Sequence, residues 1–146
     1  MWPIIGCAIS KMINCEPLFD KRSATDQLVE IIKIFGTPTI DHINQMNPQH
    51  QQFKFPQIKC HPWAKVFAKF KPEPHFIDFI SKILVYQPQD RLKPLEALLN
   101  PYFDELRLSS FQDGQMKLPN FCDFYKKKLH IQSEIVNKLT PNWVKK

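Results

Sequence analysis

At 146 residues, with 43% hydrophobic and 23% charged content, the chain has the length of one domain and the composition of a folded protein, which excludes disorder along its whole length. Twenty Lys and Arg against fourteen Asp and Glu leave a net charge of +6, but the charge is scattered. The run Lys126–Lys128 reads as a solvated face, not as a nucleic-acid stripe.

The first stretch, "MWPIIGCAI", has no basic flank or cleavage site, ends its apolar run at Lys11, and is too short to span a bilayer. It predicts a helix over about 2–14, stopped by Pro17, with Phe19 as an anchor and no membrane partner. A polar loop then leads to a helix at about 25–35. Ser23 or Thr25 can cap its orphan amides, Gly36 supplies the left-handed position after it, and Pro38 prevents its continuation. Between Leu28 and Phe35 only Glu30 and Lys33 are polar, so this helix needs cover on nearly all sides.

Residues 38–70 form a long excursion with a short helix near 39–46. Its residues Phe53, Phe55, Ile58, Trp63, Val66 and Phe67 cannot remain in water, which predicts an ordered loop pinned back onto the helices. Regular helix resumes at 74–85. There Phe76, Phe79, Ile80 and Ile83 mark the core face, and Ile77 and Leu84 a second stripe. A further helix opens at Pro94. Residues 107–146 read as a tail with an amphipathic helix near 121–138. The expected fold is therefore all-α, with one long ordered insert loop.

Cys7, Cys15, Cys60 and Cys122 contain no CxxC pair, and His42, His50, His61, His75 and His130 lack metal-site spacing, so no metal is expected. Reduced thiols fit the cytoplasm or nucleus. Cys7 and Cys15 read as buried small hydrophobes. Asp104 and Glu105 read as a solvated or Arg-paired edge, not as an acid/base pair.

Taken in order, "PLF", "DQLVEIIKIFGTPT", "MNPQHQQFKFPQIKCHPWAKVF", "LVYQPQDRLKPLEAL" and "NPYFDEL" resemble the C-terminal lobe of a protein kinase, within it the glycogen synthase kinase 3 (shaggy) family. The resemblance covers residues 1–106, and beyond them only "KLPN" at 117–120 still matches. It implies a partial kinase domain whose catalytic half lies upstream of Met1. A kinase needs a glycine-rich loop, a paired lysine and glutamate, a catalytic-loop Asp and Asn, and a magnesium-binding Asp. The sequence contains none of these, so it carries no catalytic residues or cofactor-binding residues. ATP and magnesium, and protein substrates, would belong to the intact parent.

Two further features follow from the resemblance. Arg91 matches the arginine that pairs with the glutamate closing the activation segment. With that partner outside the sequence, its side chain is expected to swing into water. Lys93 stands where the family has a capping Thr or Ser before Pro94, a loss of about 1 kcal/mol. The first helix, covered by the catalytic loop in the family, would expose apolar surface.

The resemblance also answers what covers the helix at 25–35. In the family that helix and the insert loop form a groove for an amphipathic helix from scaffold or inhibitor proteins. The matching positions are Thr25, Leu28, Val29, His50, Phe53, Phe55 and Ile58, with His50 in place of a tyrosine. Without the resemblance the same residues read simply as core. The sequence thus resembles part of a serine/threonine kinase, or else a non-catalytic module that competes with a full-length kinase for scaffold helices.

Overall fold

The computed structural model describes residues 2–21, 23–49, 55–107 and 133–140. It is mostly helical, with no strand among the described residues. The helices are α1 (Trp2–Asn14), α2 (Ala24–Phe35), α3 (Ile40–Met46), α4 (Trp63–Val66), α5 (Pro74–Ile83), α6 (Pro94–Leu98) and α7 (Ser133–Leu139). Segments of 3-10 helix cover Pro88–Asp90 and Pro101–Arg107. The chain forms two compact units, Met1–Leu92 and Lys93–Lys146.

In the first unit the core lies where α1 meets α5. Phe76, Phe79, Ile80 and Ile83 are buried on one face of α5, as the three- and four-residue spacing requires. The opposite side carries an exposed Asp78–Lys82 pair, worth only tenths of a kcal/mol, about 0.3–0.5. Gly6 lets the α1 backbone approach closely, because a Cβ there would lie 2.7 Å from Leu84 Cδ2 and 3.1 Å from Ile83 Cγ2. One turn later Ser10 is fully buried, its hydroxyl donating to the Gly6 carbonyl at 2.8 Å. The other face of α1 leaves Ile4 and Met12 in water. Cys15, expected to be buried, is exposed: α1 ends there at a φ of 57°, and the turn carries the side chain outward.

Of the two candidate caps of α2, Ser23 serves, its hydroxyl accepting from the Thr25 amide at 3.3 Å. Gly36 has the expected positive φ, 83°, but its ψ of 172° sends the chain off extended. A Cβ at Gly36 would also sit 3.1 Å from the Cys60 amide nitrogen. Gly36→Ala is therefore expected to cost about 1–2 kcal/mol from backbone strain alone, read as a lower urea midpoint at unchanged m-value.

The excursion after α2 returns over that helix's C-terminal end. Thr37 anchors the return. Its amide donates to the Ile58 carbonyl at 3.0 Å, its hydroxyl donates to the Pro56 carbonyl at 2.5 Å, and the same oxygen accepts from the Ile58 amide at 2.8 Å. His61 adds a bond from its amide to the Ile34 carbonyl at 3.1 Å. Aromatic rings complete the pinning: Phe35 contacts Phe19, Trp63 and Tyr86, while Phe67 stacks on Trp63 and meets Phe76 edge-on. The expected ordered loop holds for its described part, 38–49 and 55–70.

Tyr86 donates its hydroxyl to the Gly36 carbonyl at 2.7 Å, and burial pushes its phenol up to about 12. An unfolded tyrosine loses its proton near pH 10, about two units lower. Below that pH both states hold the proton. Between about 10 and 12 only the folded chain keeps it, so Tyr86 makes stability fall as pH rises through this window. Tyr86→Phe is expected to flatten that fall in urea titrations at a series of pH values, from a starting stability about 1 kcal/mol lower for the lost hydrogen bond.

In the second unit α7 packs on α6, with Ala97, Asn100 and Leu139 buried. Lys93 precedes Pro94 without a side-chain cap bond, as its identity predicts. Arg107 pairs with Asp104 and donates to the Leu98 carbonyl at 2.5 Å, so Asp104 is an exposed ion-pair partner. Of the tail helix expected near 121–138, residues 121–132, and likewise Lys126–Lys128 and "KLPN", lie outside the described residues.

Candidate functional site

Burial along one stripe of α2 changes from turn to turn. Ile32 is 2% exposed, whereas Leu28 and Val29, a turn earlier, are 41% and 38% exposed. Those two side chains stand beside the returning loop, which Thr37 holds by its three bonds to Pro56 and Ile58. The result is an apolar trough of about 360 Å³ lined by Thr25, Leu28, Val29, Ile32, Phe55, Pro56 and Ile58. One wall is helical, with side chains at i, i+3, i+4 and i+7 from Thr25. The other is extended chain.

Five of the seven residues marked in the sequence thus meet on one surface: Thr25, Leu28, Val29, Phe55 and Ile58. His50 and Phe53 lie outside the described residues. Two lining residues were not marked. Ile32 continues the α2 stripe one turn beyond Leu28 and Val29, so its periodicity was the available signal. Pro56 has no such signal, because only the Thr37 bonds reveal which side of the loop faces the helix.

No charged side chain is among the described residues that line the trough. Elsewhere on α2 Glu30 accepts from Lys33 Nζ at 2.8 Å, and that bond holds the Glu30 carboxyl below its usual value. A surface of this kind can bury apolar anchors of a partner helix.

Arg91 does not swing into water. It is half-buried, with Nε donating to the Val85 carbonyl at 3.1 Å and Nη2 to the Tyr86 carbonyl at 3.2 Å. Backbone acceptors a few residues away engage two of its nitrogens, and desolvation lowers its pKa. Among the described residues no carboxylate lies within ion-pair distance of it.

Among the described residues no helix is long and apolar enough to cross a membrane, and no three His, Cys, Asp or Glu converge as metal ligands. No known protein-family model matches the chain.

Proposed function

We propose that this chain is part of the helical C-terminal lobe of a glycogen synthase kinase 3-like serine/threonine kinase, and that its trough receives an amphipathic helix of a scaffold or inhibitor protein. The observation that carries the reading is the trough itself. Thr25, Leu28 and Val29 on α2 face Phe55 and Ile58 from a loop some thirty residues away, and these are the positions at which the sequence resembles that family's docking groove. Helix-in-groove recognition needs a shallow apolar channel with a few anchor pockets, and a partner helix would present leucine-like side chains at i, i+3/i+4 and i+7.

Phosphoryl transfer, with ATP and magnesium, is assigned to the intact kinase, since residues 1–146 contain neither the phosphate loop nor the catalytic motifs. Docking is the work proposed for these residues themselves. The test is a fluorescence-anisotropy titration of the full chain with labelled helical peptides from scaffold and inhibitor proteins of glycogen synthase kinase 3. Saturable binding that Leu28→Asp removes supports the reading. Absence of binding at 100-fold above a micromolar range, about 100 μM, overturns it.

A further inference from the structure

Thr25 opens the helical wall of the trough and differs in chemistry from its neighbours there. It carries a hydroxyl, whereas the other described lining residues are apolar. The residue is exposed, and among the described residues no hydrogen bond engages its hydroxyl.

Its place in the sequence is as distinctive. Residues 20–25 read Asp-Lys-Arg-Ser-Ala-Thr, which puts Arg22 three positions before Thr25 and Lys21 four before it. Arginine at that spacing is what the acidic substrate groove of an arginine-directed serine/threonine kinase reads, by charge complementarity. At the same offset before Ser23 stands Asp20, so the two neighbouring hydroxyls are told apart. Such a groove takes its substrate as extended chain. The backbone is already extended at Ser23, with φ −96° and ψ 139°, and Thr25 lies in the first turn of α2, where amides have no partner inside the helix. The Thr25 amide is held by the Ser23 hydroxyl at 3.3 Å, so opening the helix as far as Thr25 breaks few bonds.

We propose that Thr25 is a phosphorylation site for an arginine-directed kinase and that its modification closes the trough to partner helices, a regulation that rests on the docking reading above. In the transfer, Thr25 Oγ1 forms a bond to the γ-phosphorus of ATP while the bond from that phosphorus to the β–γ bridging oxygen breaks. ADP leaves, and the hydroxyl proton is released. The product carries a charge of about −1.5 to −2 at pH 7. The helix tolerates it, because a phosphate in the first turn of α2 meets free amides and the positive end of the helix dipole. The trough does not. Threonine branches at Cβ, so whichever branch faces inward the phosphate stands within a screening length, about 8 Å, of the apolar lining. A docked helix would have to strip water from this anion with no cation among the described lining residues to receive it.

The test treats the full chain with a purified arginine-directed kinase, ATP and magnesium, locates the phosphate by mass spectrometry, and repeats the anisotropy titration on the modified chain. One phosphate is expected, on Thr25, with Arg22→Gln slowing its incorporation about tenfold or more. Affinity for the helical peptide is expected to fall about 100-fold while the circular dichroism stays unchanged. Thr25→Val is expected to show one affinity before and after treatment. Phosphate on Ser23, no phosphate at all, or incorporation indifferent to Arg22→Gln overturns the modification site. A phosphorylated chain that binds as tightly as the untreated one overturns the switch. An untreated chain that binds no peptide overturns the docking reading and the switch with it, whereas the modification site is still decided by the mass spectrum.

Discussion

Leu28→Asp is expected to leave the chain folded and to weaken capture of an amphipathic helix by more than about 100-fold, roughly 2.7 kcal/mol. Leu28 is 41% exposed, so the fold loses little contact when it changes. The helix itself loses about 0.5 kcal/mol of propensity on replacing Leu by Asp. A docked partner changes the balance. Its anchors would close over the trough formed with Phe55 and Ile58, and the new carboxylate would be desolvated with no cation aimed at it. Anisotropy titration against the same peptides checks the loss, and far-ultraviolet circular dichroism checks the fold. Lys33→Ala is the companion variant, removing only the Glu30–Lys33 pair, which does not line the trough. Its affinity should stay within about twofold of the parent. Binding by Leu28→Asp that matches the parent would show that the partner sits elsewhere.

The largest loss of stability is expected at Phe67. Phe67→Ala should lower the unfolding free energy by about 3–5 kcal/mol, a large share of the 5–15 kcal/mol that holds ordinary domains together. The side chain is fully buried, stacked on Trp63 with ring centroids 6.1 Å apart and edge-on to Phe76 at 5.1 Å. Removing the ring leaves a cavity between the excursion and α5, which neither side can close without breaking its own packing. The loop is then held to α2 chiefly by the Thr37 and His61 hydrogen bonds. Phe70, three residues on and 39% exposed, is the contrast: Phe70→Ala should stay within about 0.5 kcal/mol. Urea titration followed by tryptophan fluorescence reads both, since Trp63 contacts the deleted ring. A loss at Phe67 below about 1 kcal/mol would show that the excursion is pinned by something other than this ring.

Both variants rest on the same feature, the long segment between Phe35 and Pro74. Its anchoring explains why an apolar helix can leave two large side chains in water. Ile32, one turn further along the same stripe, is covered. Leu28 and Val29 are left beside a loop that Thr37 holds in place, not covered by it.

The existence and type of the elements were legible in the residues alone. Periodicity placed Phe76, Phe79, Ile80 and Ile83 on a buried face, and Pro17, Gly36, Pro38 and Pro94 marked stops and starts, because backbone geometry at those residue types is local. The aromatic content of 38–70 excluded a loose loop for a reason equally independent of fold: rings must be buried. Other features were decided only by tertiary structure. Ser23 and not Thr25 caps α2, and the positive φ at Cys15 turns that thiol outward. Arg91 was expected in water, because a sequence shows charges but not the carbonyls of Val85 and Tyr86 that fold back to meet a guanidinium. In the trough, Leu28, Val29, Phe55 and Ile58 could be named from the sequence, whereas Pro56 could not. Which side of an extended loop faces a helix depends on Thr37, nineteen residues from Pro56 in sequence, closing three hydrogen bonds across the gap.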